Sequence, residues 1–124
     1  MELFELSPAI PQLVTGDIEE TAVFFTQSLG FKIITQMKEH KFLSMRRGPA
    51  EIHFWQADNR DDAKEIGSTS SCYIRVKNIS ALFEELKSRE TKFRYELQKM
   101  PWGMMEMQID DPFGNAIRFG EVIN

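Results

Sequence analysis

Apolar residues recur at helical spacing early in the chain, at Ile18, Ala22, Phe25 and Leu29. Asp17 precedes them as a plausible N-cap, Glu19 and Glu20 fall in the first turn, and Gly30 is placed to end the helix. Strand-like alternation surrounds this segment. Residues 9–15 read as a short first strand, and because Pro8 and Pro11 lack donor N–H groups it is expected at an edge or a chain crossing. Residues 31–35, 41–47 and 51–55 read as three further strands, with Gly48-Pro49 as the turn between the last two. Residues 56–70 are polar and charged, and read as a linker with a short helical turn near Ala63.

The same order then restarts. Residues 71–77 alternate as a strand, and Ile79, Leu82, Phe83 and Leu86 form an apolar stripe on a helix that Asn78 or Ser80 is placed to cap. Strands follow at 92–98, 104–109 and 116–122, the last two joined by the turn Asp111-Pro112-Phe113-Gly114-Asn115. Both halves read strand–helix–strand–strand–strand, and Ile52-His53-Phe54 corresponds to Ile117-Arg118-Phe119. The predicted class is α+β: two βαβββ modules whose mixed sheets curl in a pair around a cleft, with helices on the outside. Residues 1–124 form one domain, with module one at about 8–57, the linker at about 58–70 and module two at about 71–122.

Alternation also sorts side chains between faces. Ile52, Phe54, Cys72, Ile74, Val76, Met105, Met107, Ile109, Ile117 and Phe119 form the apolar sets. The opposite face then carries Ile10, Gln12, Phe42, Ser44, Arg46, Glu51, His53, Trp55, Ser71, Tyr73, Arg75, Met104, Glu106, Gln108 and Arg118. This second face is half polar and half aromatic. It suits the wall of a ligand cavity, and equally an outer surface with scattered aromatics, because alternation does not report sheet curvature.

Composition narrows the classes. The chain has 124 residues, 42% of them hydrophobic, enough for one core. A net charge of -4 argues against nonspecific nucleic-acid binding, which needs a basic face. The single cysteine, Cys72, excludes a disulfide framework and a Cys-rich zinc site, and its place on the apolar face reads as a buried thiol. No run approaches the ~18 apolar residues of a membrane helix, and Glu2 and Glu5 stand where a secretory signal carries base. A cytoplasmic protein is expected, with no nucleic-acid or membrane partner. No phosphate loop is present, and no base neighbours the Ser68–Ser71 hydroxyls. Most of the seven Met read as core filler, although Met100, Met104 and Met105 around Trp102 also fit an adaptable lip.

Several segments in order give the chain a family likeness: Val14-Thr-Gly-Asp-Ile18, Phe24-Phe25, Leu29-Gly30-Phe31, Ile52-His-Phe-Trp55, Ser71–Val76, Trp102-Gly103, and Asp111-Pro-Phe-Gly-Asn115 with Ile117-Arg-Phe-Gly120. Over roughly residues 8 to 122 it resembles the vicinal oxygen chelate superfamily (glyoxalases, bleomycin resistance proteins and dioxygenases), and within it the bleomycin resistance proteins. The resemblance implies paired βαβββ modules, a homodimer, ligand clefts shared by both chains, and often exchanged N-terminal strands. The Pro-flanked first strand and the apolar Leu3, Phe4 and Leu6 fit such an arm.

Enzymes of the superfamily hold a divalent metal on the first and last strand of each module. Carried onto this chain, those positions are Ile10, His53, Ser71 and Arg118. Only His53 is a good ligand, and Arg118 is a permanent cation, whereas an open catalytic site needs three or more protein ligands. No metal and no cofactor are expected, and no catalytic residue is assigned. His53 reads as a neutral imidazole in a polar wall, with Arg118 near His53 and Glu106 in the place of the metal. The expected function is non-enzymatic capture of a drug or metabolite, bleomycin-like in manner, in a cleft at the dimer interface. Phe42, His53, Trp55, Tyr73, Trp102, Glu106, Gln108 and Arg118 are the expected ligand-binding residues, with Glu51 and Glu106 as acceptors for a cationic group. The alternatives are a metal-dependent glyoxalase-like lyase or dioxygenase with an atypical metal site, and a structural or regulatory dimer without a ligand.

Overall fold

The computed structural model describes residues 2–124, and Met1 lies outside it. Its elements follow the repeated order. The first half contains β1 (Gln12–Thr15), α1 (Ile18–Leu29), β2 (Lys32–Met37), β3 (Phe42–Arg47) and β4 (Ala50–Gln56). Then come α2 (Arg60–Gly67), β5 (Ser71–Arg75), α3 (Ile79–Ser88), β6 (Tyr95–Lys99), β7 (Met104–Asp110) and β8 (Ala116–Val122). The strands form two four-stranded mixed sheets of identical plan, β1-β4-β3-β2 and β5-β8-β7-β6. In each, the outer first strand runs parallel to the fourth and the other pairs are antiparallel. The duplicated pattern in the sequence is thus a duplicated topology.

Local chemistry sets the helix ends. The Asp17 carboxylate accepts from the Glu20 N–H at 3.0 Å, and Gly30 takes the left-handed conformation that closes α1. At α3 the structure departs from expectation. Neither Asn78 nor Ser80 caps with its side chain. Asn78 has φ of 62°, and the Glu121 carboxylate from β8 accepts the N–H groups of Asn78 and Ile79, each at 2.9 Å. The cap is therefore tertiary.

A second difference lies between the halves. Residues 60–67 are an eight-residue helix, where the polar composition predicts a linker with a short turn. Only Ala63 and Gly67 are buried in it, so it has almost no apolar stripe to read. It is held from outside: Ala63 packs with Val14, Ala57 and Phe113 in a small second core, and Asn59 caps its start. A Cβ on Gly67 would collide with the backbone carbonyl of Phe113, so only glycine lets the helix end approach that turn. The first strand also begins later than predicted, at Gln12, because Pro8 and Pro11 keep the preceding residues out of the ladder, though the Pro11 carbonyl still accepts from the His53 N–H.

One core spans both halves. Leu13, Leu43, Met45, Ile52 and Phe54 from the first sheet join Cys72, Met107, Ile109, Ile117 and Phe119 from the second, together with Ile18, Phe25 and Leu29 of α1 and Ile79 and Leu86 of α3. Phe25 sits at its centre, edge-on to Phe24, Phe31 and Phe54 at 5.0–5.6 Å. The helices thus cover the apolar face of each sheet, and the opposite faces remain open.

Candidate functional site

The eight expected ligand-binding residues divide between the two open faces. Phe42, His53 and Trp55 lie on the first sheet, and Tyr73, Glu106, Gln108 and Arg118 on the second, with Trp102 in the loop before β7. Among the described residues no hydrogen bond or ion pair joins the two groups. Each face is a wall with its own internal chemistry.

On the first sheet, cross-strand register places Phe42 beside Trp55, Ser44 beside His53, and Arg46 beside Glu51. Glu51 ties the polar end together. Its Oε1 accepts from Arg46 at 2.9 Å and its Oε2 contacts His53 Nε2 at 2.6 Å. The hydrogen bond from Arg46, reinforced by that to His53, holds the Glu51 carboxyl below its usual pKa. The His53 ring meets the edge of Phe42 at 5.1 Å. Half of Trp55 is open to solvent.

On the second sheet, a single row crosses all four strands: Tyr73, Arg118, Gln108 and Tyr95 are successive partners. The next row contains Arg75, Gly120, Glu106 and Gln98. Glu106 is the acid at the centre of this face, only 4% exposed. Three neutral donors satisfy it: Tyr73 Oη at 2.8 Å and Trp102 Nε1 at 2.8 Å on Oε2, and Tyr95 Oη at 3.3 Å on Oε1. Burial, followed by the bond to Glu106, pushes the Tyr73 phenol up to about 12, since its proton is held between ring and carboxylate. Burial likewise raises Tyr95, with Glu106 adding and Arg118 opposing.

Gly120 makes this arrangement possible. A Cβ there would run into the Tyr73 hydroxyl, with ring carbons at 2.5 and 2.9 Å. The Tyr73 ring therefore lies across the bare backbone of β8 to reach Glu106 on β7.

Arg118 is half-buried in the first row. Its Nε donates to Gln108 Oε1 at 2.9 Å, and Gln108 Nε2 donates to Asp110 Oδ1 at 2.8 Å. Asp110 Oδ2 is occupied by Arg94, at 2.6–2.7 Å. Arg118 thus bonds to an amide, neither to Glu106 nor to His53, which is on the other sheet. Glu51 and Glu106, the expected acceptors for a cationic group, are both already engaged by protein partners. Tyr95, Arg94, Asp110 and Gly120 went unassigned in the sequence. Of these only Gly120 carried a signal, since glycine inside a strand marks a close approach.

Trp102 is carried on a tight loop. Met100 N–H donates to Met104 O at 2.7 Å, Gly103 N–H donates to Met100 O at 3.1 Å, and Gly103 has φ of 83°. The indole is 64% exposed although its N–H is bonded to Glu106. Cys72 is buried on the core face, and burial pushes its thiol up to about 11, leaving it unreactive.

The positions that hold a metal in superfamily enzymes do not fit one in this chain. Ile10 precedes β1 and has no donor atom, His53 is engaged with Glu51, Ser71 is exposed, and Arg118 would repel a cation. Among the described residues no three His, Cys, Asp or Glu side chains converge. No described helix is long and apolar enough to cross a membrane.

Residues 8–119 match the family described as the Glyoxalase/Bleomycin resistance protein/Dioxygenase superfamily. A bleomycin resistance protein of Geobacillus stearothermophilus is 26% identical over 129 aligned positions, which cover 93% of this chain and 96% of the relative. A bleomycin resistance protein of Staphylococcus aureus matches with the same identity and coverage. Among solved structures, a bleomycin-binding protein complexed with bleomycin superposes with a TM-score of 0.76 at 23% identity, over 94% of this chain and 98% of that one. The bleomycin-binding protein of Streptomyces verticillus complexed with copper(II)-bleomycin gives 0.78 at 24% identity, over 98% and 99%. These structures share the fold described above. On the family match and the doubled sheet plan together, the chain belongs to the glyoxalase/bleomycin resistance protein/dioxygenase superfamily.

Proposed function

We propose that this protein captures a drug-sized molecule without chemical turnover, in the manner of a bleomycin resistance protein, and works as a cytoplasmic homodimer. The shared core takes up the covered face of each sheet, and among the described residues no hydrogen bond or ion pair joins the two open faces. A second copy that apposed its first-sheet face to the second-sheet face of this chain would form a cleft from both. Phe42, His53 and Trp55 of one copy would then oppose Tyr73, Trp102, Glu106, Gln108 and Arg118 of the other. The bleomycin resistance proteins among its relatives support a drug as ligand.

One observation carries this reading. Trp102 is the most exposed aromatic ring on either face, yet the 2.8 Å bond to Glu106 and the closed loop beneath it fix its orientation. A flat apolar surface held rigid but uncovered is costly unless something covers it, and pre-orientation lowers the entropy lost on binding.

Titration with bleomycin, followed by calorimetry and by Trp55 and Trp102 fluorescence, tests the proposal. Saturable quenching is expected. Trp102→Ala should weaken binding at least about tenfold, the effect of removing a central aromatic anchor, with the fold intact and the melting temperature lowered only by the several degrees that losing one bond to Glu106 costs. Absence of heat and quenching at high micromolar bleomycin would refute drug capture.

A further inference from the structure

The second-sheet face has an unbalanced charge. Its acids are Glu106 and Asp110. Glu106 is occupied by three neutral donors, and Asp110 is neutralised by Arg94. Its remaining cations, Arg75 and Arg118, have no carboxylate within ion-pair distance among the described residues. The whole chain carries a charge of -4, yet this wall is positive. On the other wall Arg46 pairs with Glu51, and Lys32 is the cross-strand neighbour of Arg46.

Arg118 is the more specific of the two cations. It is half-buried at the centre of the row, between Tyr73 on β5 and Gln108 on β7. Gln108 Oε1 accepts a hydrogen bond from the Nε–H at 2.9 Å, which fixes the plane of the guanidinium. Its forked terminal amines make no ion pair among the described residues and have the Tyr95 phenol beside them, and they can meet a partner with two oxygens in one plane. A cavity of about 300 Å³ adjoins this group, lined by Arg118, Gln108, Arg94, Asp110, Ser68 and Ser71.

From this arrangement we infer that the ligand carries a planar oxyanion, a carboxylate attached to an aromatic body, and that Arg118 receives it in a two-pronged hydrogen bond. The inference rests on the reading of this face as a ligand wall and adds a class of ligand to it. A ligand that is only cationic would bring its charge against Arg118 and Arg75. The permanent charge of Arg118 lets it meet an oxyanion directly.

The test is a calorimetric titration of the full chain with 2-naphthoate and with 2-naphthamide, which share one aromatic body and differ in charge. Naphthoate should bind about tenfold more tightly, the scale of a charge-assisted pair. Arg118→Gln should erase that preference. Arg118→Lys keeps the charge but loses the fork, and should retain only part of it; where Arg118→Gln does not fold, this variant carries the test. Equal affinities in the wild type, or a preference undiminished in both variants, overturn the inference. Bleomycin titrated in parallel separates the two readings. A wild type that binds bleomycin but shows no carboxylate preference refutes this inference alone, and a wild type that binds neither refutes both.

Discussion

Substituting Gly120 by alanine tests whether the Glu106 cluster is built as described. The new methyl would occupy space now filled by the Tyr73 hydroxyl and the near edge of its ring. The β8 backbone is paired on both sides and cannot retreat, so the ring must swing outward, breaking the 2.8 Å bond to Glu106. A hydrogen bond to a charged group contributes about 1.5–3 kcal/mol. Trp102 and Tyr95 still serve Glu106, and the released phenol is rehydrated, so the expected cost is about 1–2 kcal/mol. For 124 residues, about 4 °C is lost per kcal/mol, giving a fall in melting temperature of about 4–8 °C. The phenol should also titrate below its wild-type value of about 12 in an ultraviolet pH titration. The decisive measurement is a double-mutant cycle. In a Tyr73→Ala background no ring opposes the methyl, and Gly120→Ala should then cost less than about 0.5 kcal/mol. An undiminished cost in that background would refute the packing argument.

Two further outcomes follow from the same geometry. Glu121→Ala removes the acceptor shared by the first N–H groups of α3 and should lower the melting temperature by a few degrees, while Asn78→Ala, whose side chain makes no cap bond, should not act through capping; equal cap losses by helix-resolved hydrogen exchange would count against the tertiary cap. Asp111 is buried, and burial raises its carboxyl from 3.8 to about 6 despite bonds from Asn115 and the Phe113 N–H. The folded chain therefore holds this proton more tightly than the unfolded one, so its stabilisation is complete below about pH 4 and fades as the pH rises to about 6, by up to about 3 kcal/mol. Melting curves of the wild type against Asp111→Asn across pH 4–7 should show this decline only in the wild type, and parallel curves would contradict it.

The sequence by itself determined the parts of this protein that depend on neighbours along the chain. The 3.6-residue recurrence of Ile18, Ala22, Phe25 and Leu29 specified α1, and strict alternation sorted core from open face correctly at Ile52, Phe54, Cys72, Ile117 and Phe119. The repeat of that order specified two sheets of one plan. It also placed His53, Tyr73, Glu106, Gln108 and Arg118 on the face opposite the core. What lies across a strand boundary was not legible. Helix α2 has no apolar stripe of its own and forms because Val14 and Phe113, distant in sequence, pack on Ala63. The cap of α3 comes from Glu121, 42 residues beyond Ile79. Whether Glu106 is a free acceptor or a saturated one depends on three donors from β5, β6 and the Trp102 loop, and on the bare backbone at Gly120. Periodicity is a property of one strand. Hydrogen-bond saturation depends on cross-strand register and ring placement, and only tertiary packing sets those.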